Sequence, residues 1–345
     1  MFNELLNEVV QLTSHKDLEQ LDHSLVKILA RLVSADRVEL IHFHIDKKNK
    51  ILANILQVAY DAKKNIYMSK CVNETEISRI AIDCVNAHSP VVGLVSDMAW
   101  HFILPIKING NFGACAHIIS VTEPSVQRDT LVNVVNIYAN HLIMIHESER
   151  DELTKLLNRK SFDKRIERLL NIQKNELFLR SETEQALDRR KAFTDDKNAW
   201  LAIIDIDHFK QVNDAYGHIY GDEVLLRLSQ LLQLNFRHSD LVFRFGGEEF
   251  IIVLAPVNAD DAETAIERFR HNIEQLDFPR VGKITVSIGY GELGVDDYPP
   301  LVIEQADKAL YYAKEHGRNK VFRYETLIEN GSLSRSDDES SIELF

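Results

Sequence analysis

The stretch LVFRFGGEEFIIVLA, residues 241–255, sets two short runs of β-branched, aromatic and aliphatic residues on either side of Gly246-Gly247. Such runs around a glycine pair predict a β-hairpin whose two turn residues are both free to take positive φ. Glu248 and Glu249 follow at once, so two carboxylates are displayed at a rigid tip, a placement that suits metal chemistry. An ordinary hairpin with solvated charges reads equally well from this stretch alone, so the decision rests on what else converges there.

Upstream, WLAIIDID (200–207) is almost continuously apolar and ends in acids. That is the pattern of a buried central strand whose C-terminal end delivers Asp205 and Asp207 to a surface, and ligand sites of open sheets gather at such ends. GDEVLLRLSQLLQL (221–234) spaces Val224, Leu225, Leu228, Leu231 and Leu232 as the inner face of a helix. Downstream, 259–275 predicts a helix, KITVSIGYG (283–291) a strand and 301–317 a last helix. Strands and helices alternate around an inserted hairpin, which predicts an α+β or α/β domain built on one sheet.

At 345 residues the chain has room for two domains with separate cores. A net charge of -13 disfavours nucleic acid and anionic membrane surfaces as partners. The sequence contains neither a signal-peptide core nor about 18 consecutive apolar residues, so the expectation is a cytoplasmic protein without a membrane span. Cys71, Cys84 and Cys115 lack CxxC spacing and read as reduced thiols.

Residues 1–125 mix helix and strand signals: a helix at 17–34, strands at 38–46 and 51–60, a helix at about 75–87, then HFILPIKI (101–108), a turn at Asn109-Gly110 and GACAHIISV (113–121) as its antiparallel partner. This order resembles a GAF sensor domain, a sheet with helices on one side that often holds a small ligand, with a PAS-like sensor as the nearest rival. His42 and His44 alternate on one predicted strand, where solvent-facing histidines outnumber metal or haem ligands. From Val126 to Leu157 a helix is predicted with Leu131, Val135, Tyr138, Leu142 and Ile145 at spacings of four and three. Such a seam predicts pairing with a second copy as a coiled-coil stalk over 126–157; packing on its own sensor domain is the alternative.

Five motifs in order, DELTKLLNRKSF (151–162), DIDHFKQVNDAYGHIYGDEVL (205–225), RHSDLVFRFGGEEF (237–250), VSIGYG (286–291) and ADKALYYAKEHGRNKV (306–321), together resemble a GGDEF domain in its GGEEF form. The likeness covers about half of the chain. That family comprises the catalytic domains of diguanylate cyclases, which condense two GTP into cyclic di-GMP and pyrophosphate on a fold related to nucleotidyl cyclases and polymerase palms. The resemblance implies a catalytic domain over 158–325, a GTP-loaded homodimer as working unit, and Mg²⁺, or Mn²⁺, as cofactor.

The chemistry agrees, because a triphosphate's charge is commonly neutralised by Mg²⁺ held by a few carboxylates and by substrate oxygens. Asp205 and Glu248 are the candidate ligands, with the Ile206 carbonyl assisting. Glu249 is the candidate second ligand or base for the attacking 3′-hydroxyl. The backbone amides of His208-Phe209-Lys210 open a helix and suit an anion; by resemblance they, Lys210, Lys314 and Arg318 hold phosphates. Asn213 and Asp222 match the base-reading positions and favour GTP. Arg237 and Asp240, an RxxD ahead of the hairpin, match the family's inhibitory product site for cyclic di-GMP, with Arg268 as its second arginine.

Two departures accompany the match: Lys155 stands where the family usually has glycine, and a charged segment at about 171–199 is an insertion with a predicted extra helix. Separately, the acidic tail, 326–345, is expected to be disordered. A non-catalytic cyclic di-GMP receptor is the alternative function, although such domains usually lose the carboxylates or the Gly-Gly pair. A cyclase acting on a single nucleotide fits the motifs less well.

Overall fold

The computed structural model describes residues 2–45, 51–61, 66–72, 91–94, 100–108, 111–121, 128–171, 174, 197–237 and 239–334. They form two compact units divided between Ser148 and Glu149. The predicted helix at 75–87, the turn at Asn109-Gly110 and most of the 171–199 insertion lie outside the described residues.

The first unit opens with helices α1 (Phe2–Ser14) and α2 (Leu18–Val33). Asp17 caps α2 by accepting from the amides of Glu19 and Gln20, which is why the helix starts there. Strands β1 (Arg37–Ile45), β2 (Ile51–Asp61), β3 (Ile66–Val72), β4 (Val91–Leu94), β5 (Trp100–Ile108) and β6 (Asn111–Ser120) make one antiparallel sheet in the order β3-β2-β1-β6-β5-β4. Alternate residues Val38, Leu40, Leu104, Ile106, Ala114, Ala116 and Ile118 join Leu21, Leu25 and Leu29 of α2 in one core. Helix α3 (Arg128–Ser148) closes that core.

This packing corrects the expected stalk. Leu131, Val135, Tyr138, Leu142 and Ile145 are all buried within the first unit, so the stripe assigned to a second copy is already covered by the unit's own core, and α3 ends at Ser148 rather than at Leu157. A stripe at helical spacing identifies a buried face without identifying what buries it. His42 is also corrected: its Nε2 lies 2.9 Å from Asp22 Oδ2, and the Tyr138 hydroxyl donates to Asp22 Oδ1 at 2.6 Å. Asp22 is fully buried, and these two partners are what make its burial tolerable.

The second unit is built on a six-stranded sheet in the order β14-β13-β8-β10-β9-β7. Its strands are β7 (Leu157–Asn158), β8 (Asn198–Ile206), β9 (Leu241–Arg244), β10 (Glu249–Val257), β13 (Val286–Leu293) and β14 (Val321–Arg323), while β11 (Asp277–Phe278) pairs separately with β12 (Gly282–Lys283). Strand β8 is central and antiparallel to both β10 and β13. Its alternation serves two cores. Trp200, Ala202, Ile204 and Ile206 face α6 (His218–Asn235) and α7 (Ala259–Gln275), whereas Leu201 and Ile203 face α4 (162–171) and α8 (Pro299–Glu315). Burial on both faces explains the continuous apolar run, and Ile204→Ala is expected to cost about 2–5 kcal/mol.

Gly289 on β13 is needed for close approach: a Cβ there would strike the backbone of Ala306 and Leu310 on α8. Without it, α8 can lie against the sheet and carry its C-terminal turn to the end of β8. The expected disordered tail is corrected in part, since α9 (Tyr324–Glu329) follows β14 and buries Tyr324 and Leu327 against Ala309. The stretch up to 334 is therefore folded, held by the buried Leu327 with Ile328 and Leu333 packed against the same cluster.

Candidate active site

Alternation along β8 assigns Asp205 to the α4 and α8 face, and its register partners are Glu249 on β10 and Ser287 on β13. Directly opposed residues of an antiparallel pair share a face, so Asp205 and Glu249 point the same way. On that face α8 brings Lys314, whose Nζ lies 2.9 Å from Asp205 Oδ2. Burial pushes the Asp205 carboxyl above the usual range; Lys314 opposes this, and Asp207 and Asp307 add to it. Glu248 is likewise raised, first by burial and then by repulsion from Asp205, with Lys314 opposing. The strand end and the hairpin tip thus gather carboxylates that disfavour one another's ionisation around a single ammonium.

The tip differs from the expected turn. Neither Gly246 nor Gly247 has positive φ; Phe245 and Gly246 both donate to the Glu249 carbonyl, at 2.9 and 3.2 Å, so the loop is wider than a two-residue turn. Gly246 instead lets the Glu249 carboxylate lie against the turn, because a Cβ there would come within 2.6 Å of Glu249 Oε2 and displace the end of that side chain. Around Gly247 a Cβ would meet no heavy atom within 4 Å, which leaves open space beside the backbone.

One residue that sequence reading passed over holds this tip. Arg244 Nη2 donates to the Gly247 carbonyl at 2.8 Å, and Nη1 donates to Asp151 Oδ1 at 3.0 Å. Asp151 Oδ1 also accepts from the Thr154 amide and hydroxyl, at 2.8 and 2.7 Å. Burial acts to raise the Asp151 carboxyl, but the bonds from Thr154 and Arg244 prevail and hold it below the usual range. The DELT motif is thereby tied to the tip through one guanidinium. Lys155, next in that motif, sits at φ 59°, a left-handed conformation in which glycine is at no disadvantage.

The other predicted residues fall in four places. His208 (φ 60°) precedes α5 (Phe209–Tyr216) without a side-chain cap, leaving first-turn amides and the exposed Lys210 at a helix N-terminus. Asn213 on α5 abuts Gly221 on α6, where a Cβ would collide with the Asn213 amide oxygen and displace that side chain, and Asp222 follows Gly221 on α6 and is exposed. Arg237 and Asp240 flank a turn: Asp240 accepts from the amides of Arg237 (2.7 Å) and Ala255 (3.0 Å). Burial raises the Asp240 carboxyl, opposed by those bonds. Arg268 donates to the Asn235 carbonyl at 3.0 Å, at the same end of α6. Arg318 follows α8 and is exposed.

Among the described residues no group of three or more His, Cys, Asp or Glu side chains is arranged to hold a metal ion. A divalent ion is nonetheless compatible with Asp205 and Glu248. Mg²⁺ is commonly held by one or two carboxylates plus substrate phosphates, and two carboxyls raised by burial beside a lysine suit a cation. Ile206 is fully buried and can offer only its main-chain carbonyl.

Fold and site together define an α/β domain with a carboxylate and lysine cluster suited to polyphosphate chemistry. Residues 174–320 match the family model described as "Diguanylate cyclase, GGDEF domain", and the second unit therefore carries a GGDEF domain. The chain is 37% identical over 180 residues to diguanylate cyclase DosC of Escherichia coli K12, covering 51% of this chain and 35% of that one. Diguanylate cyclase A of Treponema denticola is 40% identical over 125 residues, 35% of this chain and 34% of that one. This chain thus spans about a third of the length of these curated relatives. The GGDEF domain of DgcB from Caulobacter crescentus, solved in complex with c-di-GMP, is 32% identical, with 52% of this chain and 96% of that chain covered at a TM-score of 0.42. Among the described residues no helix is long and apolar enough to cross a membrane.

Proposed function

We propose that the chain is a diguanylate cyclase that joins two GTP into cyclic di-GMP and releases two pyrophosphates. The observation that carries this reading is the convergence of Asp205, Glu248 and Lys314 at the end of β8 beside the hairpin tip, inside a GGDEF domain. Asp205, Glu248 and the Ile206 carbonyl would hold Mg²⁺ or Mn²⁺, which supplies charge neutralisation at the phosphates when bound. Lys314, Arg318, Lys210 and the amides at the start of α5 cradle the β and γ phosphates. Asn213 and Asp222 read the guanine edge, Asp222 accepting from its N–H donors. Glu249, opposite Asp205 and exposed, takes the proton of the 3′-hydroxyl.

In each half-reaction an O3′–Pα bond forms and the bond from Pα to the pyrophosphate oxygen breaks. Closing the ring needs two loaded sites facing each other, so the working unit is a homodimer. The first unit, an antiparallel sheet with its helices in one core, is a GAF-like sensor whose small ligand sets how the half-sites meet. Arg237, Asp240 and Arg268 form a product site that slows turnover. Incubation of the purified chain with GTP and Mg²⁺, followed by nucleotide chromatography, tests the reading. Cyclic di-GMP is expected from the unaltered chain and none from Glu248→Gln; full activity of that variant would overturn the assignment. Arg237→Ala is expected to relieve slowing at high product while leaving the initial rate intact.

A further inference from the structure

Two aspartates flank Ile206, and the roles of the two diverge. Asp207 is 6% exposed. Its Oδ1 accepts from the Ser287 hydroxyl at 2.7 Å, and its Oδ2 accepts from the Thr285 hydroxyl at 2.6 Å and the Asn319 amide at 3.0 Å. A carboxylate offers about four acceptor positions, and three are taken by neutral protein donors, so little of this group is left for a cation. The third donor comes from an unusual turn. Gly317, Arg318 and Asn319 have φ of 105°, 60° and 48°, three successive left-handed residues, of which the two with side chains each cost on the order of 1 kcal/mol.

A conformation of that kind persists only where its surroundings impose it. Here the ties are explicit. The Arg318 amide donates to Ala313 O at 3.0 Å, ending α8, and Ile288 donates to Lys320 O at 2.9 Å, starting β14. The Asn319 side chain accepts from Arg270 Nη1 at 2.6 Å and donates to Glu274 Oε1 at 2.7 Å. Among these ties only Asp207 belongs to the segment that also carries Asp205. It therefore registers the turn bearing Arg318 against the strand end bearing the carboxylate site.

We infer that Asp207 is a positioning residue that holds the Gly317–Asn319 turn, and through it Arg318, where the terminal phosphates of GTP are gripped. The inference rests on the cyclase reading above and assigns Asp207 no contact with substrate or metal. Geometry also indicates which substitution restores the role. In Asp207→Asn the amide oxygen can replace Oδ2, accepting from Asn319 and Thr285, while the amide nitrogen donates to a rotated Ser287 hydroxyl. In Asp207→Ala all three donors lose their acceptor.

The test is equilibrium binding of α,β-methylene GTP with Mg²⁺ and, separately, of GMP, to the full chain and its variants. Asp207→Ala is expected to weaken the triphosphate analogue about tenfold or more, the effect of one lost charge-assisted contact, with GMP affinity within about twofold. Asp207→Asn is expected to bind both like the unaltered chain, and in an Arg318→Ala background Asp207→Ala should add nothing further. Equal loss of both ligands in Asp207→Ala, no loss of either, or failure of Asp207→Asn to restore the triphosphate grip would each overturn the inference. If Asp207→Ala does not fold, Asn319→Val, which opposes the left-handed turn from its other side, must show the same selective loss. An unaltered chain that binds neither ligand would instead overturn the cyclase reading.

Discussion

Each unit of this chain buries an aspartate against its sheet, and the two are treated in opposite ways. Asp22 in the first unit has one oxygen bonded to Tyr138 and the other to His42. Asp205 in the second meets Lys314, is raised by burial and by Asp207 and Asp307, and itself disfavours the ionisation of Glu248. A buried acid surrounded by donors from its own core is a structural element. One whose ionisation is opposed by burial and by neighbouring acids is tuned for a charge brought from outside. The contrast locates function in the second sheet without reference to any motif.

That contrast can be broken most forcefully at Asp205. Asp205→Asn is expected to lower cyclic di-GMP formation at least about a thousandfold, the loss of several kcal/mol of charge stabilisation, while leaving the melting temperature of the metal-free chain little changed. Asp22→Ala should do the reverse. It leaves Tyr138 and His42 short of a buried partner, costing about 1–3 kcal/mol in denaturant unfolding of the first unit, without altering turnover by the second unit measured at saturating GTP and Mg²⁺.

Titration sharpens the same comparison. The folded pKa values of Asp205 and Glu248 lie above their unfolded values. Any stability they confer on the metal-free chain is therefore complete below the unfolded values near 4 and is lost as pH rises through the raised folded values. Cation binding requires both groups ionised and runs the other way. The apparent Mg²⁺ affinity, followed by the metal-induced rise in melting temperature, should fall as pH drops through the raised range, and Glu248→Gln should flatten that fall.

Smaller effects are expected where the DELT motif meets the tip. Arg244→Ala frees the Gly247 carbonyl and should reduce turnover about tenfold, roughly one hydrogen bond to a charged group. Lys155→Gly relieves a left-handed non-glycine residue and should raise the unfolding free energy of the second unit by about 1 kcal/mol, read as a higher melting temperature.

Much of this was legible in residue order. The apolar run ending in Asp205 and Asp207 reads as a doubly buried strand because burial on both faces leaves no polar alternation, and β8 has that form. The helices at 17–34, 221–234 and 259–275 appear within a few residues of their predicted ends, since their inward faces repeat at helical spacing. What escaped reading depends on partners distant in sequence. The stripe from Leu131 to Ile145 announces burial, but only α2 and the first sheet explain what covers it. Gly246 does not use the positive φ that its place in the turn suggested, and what it touches is the Glu249 carboxylate. Arg244 reads as one more surface cation until folding sets it between Asp151 and Gly247, 93 residues and three residues away.

The most direct measurement is the product balance of the purified chain supplied with GTP and Mg²⁺. The account predicts one cyclic di-GMP and two pyrophosphates for every two GTP consumed, at a rate that vanishes in Asp205→Asn. Consumption of GTP to a single-nucleotide cyclic product, or cyclic di-GMP formed unabated by the Asp205→Asn chain, would contradict it.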